Sequence, residues 1–286
     1  MMNKSNFMVK FVCSLILFFI ISIMAAAENS HALIFGLGKQ KDRNWSKING
    51  DIDAAYVGRM LEGCGFKDIR ILTNERATKQ GMAQAFLDLI RVCKKGDVVY
   101  IHYSGHGQYM TDLDGDEAER WTGKHAQWDE SWIPYDAYMY YSKEDRGEKH
   151  FCDDEIANYL SMIRKRIGSS GKMYVVVDAC HSGDATRGSD DECVRGVDKE
   201  FVIPRRMNTR QSRHVEEKWL TISACKPYQL CFEQKSPKVG KLTYALCGLG
   251  NHIFSMSNHE LESALNSYMT EHPARLPQNP VVSGKK

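Results

Sequence analysis

The sequence has no CxxC pair, no glycine-rich phosphate loop, no internal repeat and no low-complexity segment. Each absence removes a class of protein. Scattered single cysteines do not make a zinc or disulfide framework. A nucleotide-binding α/β domain would need a GxGxxG or P-loop after its first strand, and Gly36-Leu37-Gly38-Lys39-Gln40 is too short a match. With no repeat and no clear linker, one domain is the economical reading. A formal net charge of only +2 gives no electrostatic reason to expect nucleic acid or an anionic membrane as partner. The apolar run Phe11 to Met24 is shorter than the roughly 20 residues that a membrane span needs.

That run has another reading. Lys4 and Lys10 lie ahead of it, and Ala25-Ala26-Ala27 offers an Ala-x-Ala cleavage site before Glu28. Residues 1–27 are therefore expected to be a cleaved secretory signal, with an uncleaved anchor as the alternative. Residues 28–286 would then form one exported domain, periplasmic or secreted, without stable membrane association. Eight of the nine cysteines fall in it: Cys64, Cys93, Cys152, Cys180, Cys193, Cys225, Cys231 and Cys247. Most lie inside apolar patterns, which favours free buried thiols.

The rest of the chain alternates strand and helix. Strands are predicted over His31 to Gly38, Asp68 to Leu72, Val98 to Tyr103, Met173 to Val177, Trp219 to Ala224 and, as a final edge strand, Pro277 to Val282. Helices are predicted over Asp53 to Cys64, Thr78 to Cys93, Asp154 to Arg166, Gly240 to Gly248 and Asn258 to Met269. This order predicts an α/β fold with a mostly parallel sheet of about six strands. Two stretches break the pattern. Gln108 to His150 is rich in acids (Asp112, Asp114, Asp116, Glu117, Asp129, Glu130), and Asp184 to Val215 carries Arg187, Arg195, Lys199, Arg205, Arg206, Arg210 and Arg213. Both are expected to be irregular, and the second is a natural place for proteolytic nicking.

Chemistry is expected where two of the buried strands end, because open α/β sheets place their sites at the C-terminal strand edge. One ends in Ser104-Gly105-His106-Gly107, whose glycines let the backbone come close to a substrate. The other ends in Asp178-Ala179-Cys180-His181-Ser182-Gly183, with the cysteine in an exposed turn. A histidine and a cysteine on two such ends are the parts of a base and a thiol nucleophile.

Both segments resemble the catalytic segments of the caspase-like cysteine peptidases, and the metacaspase branch most closely, in a bacterial, exported form. Asp178 stands where a true caspase carries Gln, which argues against that branch. Asp51-Ile52-Asp53-Ala54, Trp128-Asp129-Glu130, Asp153-Asp154-Glu155 and Pro277-Gln278-Asn279-Pro280 resemble further metacaspase elements, in the same order. The resemblance implies a caspase-like three-layer sandwich, its central sheet covered by helices on both faces. It implies a Cys180–His106 dyad, oxyanion donors at Gly107 and Cys180, and a pocket of Asp53, Ser104 and Asp178 for an Arg, or next a Lys, before the scissile bond. Partners would then be peptides or proteins with such a residue. No cofactor is needed for the chemistry; calcium, as in calcium-dependent members, would be held by Asp129, Asp153 and Asp154, although the family's further ligand has no clear match near Asp184 and Arg187. Self-cleavage is expected between Asp184 and Val215. The alternative is a catalytically silent caspase-like interaction module.

Overall fold

In the computed structural model the described residues are 30–115, 128–181, 193–204, 218–227 and 229–285. The leader read at 1–27, the end of the cysteine motif at Ser182-Gly183, and Asp116, Glu117, Asp184, Arg187, Arg205, Arg206, Arg210, Arg213 and Val215 lie outside them.

Strand β1 (Ser30–Gly36) shows how the layers arise. Its residues alternate between two apolar clusters, Ala32 and Ile34 on one side of the sheet and Leu33 and Phe35 on the other. A strand buried on both faces has to be apolar throughout. It pairs in parallel with β2 (Asp68–Thr73) and β3 (Val98–Ser104). Strand β3 continues to β7 (Lys172–Asp178), β7 to β8 (Leu220–Ser223), and the antiparallel β9 (Val281–Gly284) closes the edge. The order is β2-β1-β3-β7-β8-β9.

Helices cover both faces. On one lie α1 (Gly50–Gly63), α4 (Lys241–Leu249) and α5 (Asn258–Glu271), burying Ala54, Val57, Leu61, Leu242, Leu246, Leu261 and Leu265. On the other lie α2 (Lys79–Val92) and α3 (Asp153–Ile167), burying Met82, Phe86, Leu89, Ile156, Leu160 and Ile163. The ends are fixed locally. The Thr78 hydroxyl accepts from Gly81 N–H at the start of α2, and Ser257 and Glu260 form a capping box on α5. Acids open α3 and bases close it, matching the helix dipole.

Three expectations are corrected. The stretch from 108 to 150 is not irregular throughout: β4 (Gly107–Thr111), β5 (Trp128–Trp132) and β6 (Phe151–Cys152) form a separate antiparallel sheet. Its strands hide buried polar residues, Gln108, Asp129 and Ser131, so no apolar alternation marks them. Helix α1 begins at Gly50, three residues ahead of the expected Asp53, and Asp53 lies inside its first turn. The last strand begins at Val281; Gln278, buried just ahead of it, accepts from Phe232 N–H and donates to Ala224 O.

Candidate functional site

The register of β3 against β7 places Ser104 beside Asp178 at the C-terminal strand ends, and the chain turns there into His106 and Cys180. The first turn is braced by Tyr103. Its hydroxyl donates to His106 O at 2.6 Å and accepts from Ile133 N–H at 2.9 Å, while its ring stacks on Trp132.

His106 is fully buried. Its Nε2 lies 2.8 Å from Ser46 O, and a carbonyl oxygen can only accept, so Nε2 carries the hydrogen. In the neutral ring Nδ1 then holds the lone pair, and Nδ1 has no hydrogen-bond partner. Burial pushes the imidazole down to about 4, against the Ser46 hydrogen bond that raises it. The result is a neutral, oriented base. Trp45 lies against its ring, 5.2 Å between centroids.

Cys180 is 3% exposed, which corrects the expected exposed turn: the chain's own residues 195 and 196 lie over it. The Cys180 and Gly107 N–H groups point at the Arg195 carbonyl oxygen, 3.0 and 3.4 Å away. These are the two donors expected for an oxyanion. A Cβ on Gly107 would fall 2.7 Å from Cys180 O, and one on Gly196 only 2.8 Å from Cys180 Sγ, so both glycines permit contacts that no other residue would. The Arg195–Gly196 peptide therefore rests against the thiol.

Residues 193–196 are tied down by isolated bridges on either side of a bend at Arg195. Arg195 N–H donates to Cys231 O at 3.2 Å, Glu233 N–H donates to Cys193 O at 3.2 Å, and Gly196 bridges to Gly107. The Arg195 side chain, fully buried, enters the cluster expected to bind substrate. Its Nη1 donates to Asp53 Oδ2 and Ser104 Oγ, both at 2.5 Å, and lies 3.5 Å from Asp178 Oδ2; Nη2 donates to Glu233 Oε1 at 2.9 Å. Burial works against the charge on Arg195, and Asp53, Asp178 and Glu233 outweigh it and hold the guanidinium charged. The acids are fixed from behind: Asp53 Oδ1 accepts from Gly240 N–H at 3.0 Å, and Asp178 Oδ2 from Thr243 N–H and hydroxyl at 2.9 and 2.6 Å. Glu233 accepts from the backbone and side chain of Asn49, at the head of α1.

Asp53, Ser104, Asp178, His106, Gly107 and Cys180 are thus gathered at one place. Sequence reasoning missed Ser46, which acts through its backbone and has no residue signature. It also missed Glu233, whose only signal is an acid in an otherwise featureless stretch. His181 faces Tyr109 and Glu130.

Asp129, Asp153 and Asp154 form a second, acidic region with Asp112 and Asp114. Burial pushes Asp129 up to about 9, and the four other carboxylates add to the rise. Its Oδ1 is buried with no hydrogen-bond partner. The donors are the hard oxygens that calcium takes, but among the described residues no three acidic, histidine or cysteine side chains converge on one point as metal ligands.

Residues 29–285 match the family model described as Caspase domain. Over 171 residues the chain is 31% identical to metacaspase-1B of Aspergillus terreus, a match covering 56% of this chain and 40% of that protein. Over 162 residues it is 32% identical to metacaspase-1 of Arabidopsis thaliana, covering 53% and 39%. The chain spans about two fifths of the length of the curated relatives it matches. The crystal structure of caspase-1 from Spodoptera frugiperda superposes with a TM-score of 0.56 at 12% identity, covering 90% of this chain and 86% of that one, and so has the same fold.

The buried groups set a pH dependence of stability. His102 is held, like His106, at about 4 against an ordinary 6.5, by burial. Between those values the unfolded chain binds more protons, so stability rises with pH. Asp129 works the other way: its folded value of about 9 exceeds the ordinary 3.8, and stability falls as pH rises through that window. Two histidines outweigh one aspartate on the acid side. Denaturation without divalent cations is expected to show stability rising from pH 4.5 to 6.5 and falling from pH 7 to 8, below the range in which the unfolded chain's thiols ionise, with Asp129→Asn removing that fall and sparing the rise. A fall that persists in Asp129→Asn would refute the assignment.

Proposed function

We propose that this chain, which belongs to the caspase-domain family, is a cysteine endopeptidase that cuts after arginine, then lysine, and that its own Arg195–Gly196 bond is its first substrate. The observation that carries this reading is Arg195, whose guanidinium fills the acidic pocket while its carbonyl oxygen meets the Cys180 and Gly107 N–H groups. A substrate bound for cleavage needs those same two contacts.

In the proposed mechanism His106 Nδ1 takes the thiol proton and Cys180 Sγ attacks the carbonyl carbon. Charge developing on the oxygen meets the two N–H groups, which are already in place and cost no reorganisation. As the C–N bond breaks, His106 returns the proton to the leaving amine, and water then hydrolyses the thioester. The pocket explains the side chain. Two buried aspartates and a glutamate disfavour an acidic residue strongly, whereas a planar guanidinium can serve Asp53 and Ser104 with one nitrogen and Glu233 with the other. A lysine ammonium is one point charge and cannot span both. Occupied by Arg195, the uncut chain excludes other substrates from this pocket. The signal expected at 1–27 would place the activity outside the cytoplasm, in the periplasm or the medium.

Calcium binding by Asp129, Asp153 and Asp154 belongs to the same proposal as a regulatory feature. It is supported by the charge gathered there: a hard cation would offset the burial, and the repulsion added to it, that keep Asp129 protonated.

The deciding experiment is N-terminal sequencing of the fragments formed on incubation. Wild type is expected to yield a fragment beginning Gly196-Val197-Asp198, while Cys180→Ala and Arg195→Ala yield none. The same cut in Cys180→Ala would point to another protease. On peptide substrates, Asp178→Ala should lose about a hundredfold or more in kcat/KM after Arg without gaining cleavage after Asp, since removing one member of a buried charge cluster costs roughly 3 kcal/mol.

Glu233→Gln separates arginine from lysine. Cleavage after Arg is expected to fall about tenfold or more while cleavage after Lys changes little, and an unchanged Arg-to-Lys ratio would remove Glu233 from the specificity pocket. For calcium, calorimetry in two buffers of different ionisation enthalpy should register proton release on binding at pH 8, lost in Asp129→Asn; no heat and no thermal shift at millimolar calcium would end that part of the proposal.

A further inference from the structure

Three cysteines meet beside the site. Cys231, fully buried, lies with its Sγ 3.2 Å from Cys225 Sγ and donates to Ala179 O at 3.1 Å. Ala179 is the chain neighbour of Cys180, and Cys180 and Cys231 sit in one buried cluster. All three are free thiols. A disulfide needs a sulfur separation of about 2.05 Å, so Cys225 and Cys231 have little more than 1 Å to close. Cys180 and Cys225 both line a cavity of about 320 Å³ on the side of Cys180 away from Arg195, together with Thr221, Ser223 and Gln229. A small oxidant can enter that cavity without displacing residues 193–196.

Peptide hydrolysis uses none of this. A base-activated nucleophilic thiol is the thiol a peroxide attacks first, and without a neighbouring thiol its sulfenic acid proceeds to irreversible sulfinic acid. Here a second thiol bonds to the residue next to it, and a third lies 3.2 Å from the second.

We propose that Cys231 is a resolving thiol for Cys180, with Cys225 behind it as an exchange partner. The Cys180 thiolate attacks a hydroperoxide, breaking the O–O bond: the sulfur is oxidised to a sulfenic acid and the peroxide, taking up a proton, is reduced to an alcohol or water. Cys231 Sγ then displaces the hydroxyl as water, forming a Cys180–Cys231 disulfide. Cys225 thiolate attacks Cys231, and the Cys180 thiolate leaves. The sum is one peroxide reduced and two thiols joined, with the nucleophile returned. This rests on Cys180 being the activated thiol of the proposed peptidase.

The test is a few-fold molar excess of hydrogen peroxide, enough to carry an unresolved sulfenic acid on to sulfinic acid, on wild type, Cys231→Ser, Cys231→Ala and Cys225→Ser, followed by intact mass, disulfide mapping and peptidase activity before and after dithiothreitol. Wild type should lose 2 Da as a Cys180–Cys231 or Cys225–Cys231 disulfide and recover most of its activity on reduction. Both Cys231 variants should gain oxygen at Cys180 and recover less than a tenth of their own starting activity. Cys225→Ser should stop at the Cys180–Cys231 disulfide. Sulfinic acid at Cys180 in wild type, with no Cys231 disulfide, would overturn the proposal. Mapping reads the thiols whether or not the chain cuts peptides, so failure here is distinct from failure of the peptidase reading, which would appear as protein without activity before any peroxide is added, its thiols still free.

Discussion

One buried cation holds the site together. Asp53 comes from the first turn of α1, Asp178 from the end of β7 and Glu233 from the stretch before α4, and the Arg195 guanidinium meets all three. Three carboxylates without it would be an uncompensated buried charge, a condition that costs several kcal/mol. The same contact positions the backbone. With its side chain anchored, the Arg195 carbonyl oxygen has one place to go, between the Cys180 and Gly107 N–H groups. Pocket, oxyanion donors and nucleophile are thus registered by a single side chain.

The base is set by different means. Among the described residues no carboxylate bonds to His106 to orient the ring; a backbone carbonyl, Ser46 O, fixes the tautomer, and Trp45 confines the plane. A neutral partner leaves the imidazole weakly basic in a buried site, which suits a proton acceptor for a thiol better than for a hydroxyl, because the thiol needs less help to ionise. Tyr103 ties this turn to Ile133, at the end of β5, so the small antiparallel sheet serves as the outer wall that keeps His106 in place.

Much of this was legible in the sequence. Strands buried on both faces announce themselves as unbroken apolar runs, and β3 and β7 could be placed to within a residue, with His106 and Cys180 at their ends. Asp53, Ser104 and Asp178 were legible through resemblance, and the structure brings them together. What escaped has physical reasons. Strands β4 and β5 bury Gln108, Asp129 and Ser131, and a strand that hides polar groups carries no alternation to read. Ser46 contributes a carbonyl, which every residue has. Glu233 and the thiols of Cys225 and Cys231 gain their roles only when residues 231–233 pair with 193–195 across the top of the sheet, a long-range pairing that no local pattern encodes. Arg195 was visible as one of seven basic residues in a loop; that its side chain is buried could not be read from its neighbours.

The tether of that arginine decides how the site can be opened. Arg195 belongs to the same stretch of chain as Cys180, so an outside substrate competes with a residue held locally at an effective concentration on the order of millimolar or more. Cutting the Arg195–Gly196 bond does not remove that tether, since Arg195 stays on the Cys180 side of the break. It changes the charge instead. The new carboxylate would lie at the oxyanion position and lose the bridge from Gly196 to Gly107 that held the strand down. The thiolate needed for the next cycle would then face an anion in place of a neutral carbonyl, and repulsion in a dry site is large. Departure of the cut end would leave Asp53, Asp178 and Glu233 unpaired, a cost that an incoming guanidinium cancels. On the proposed reading, release of the cut end and capture of the next basic residue would therefore be coupled through the same three carboxylates.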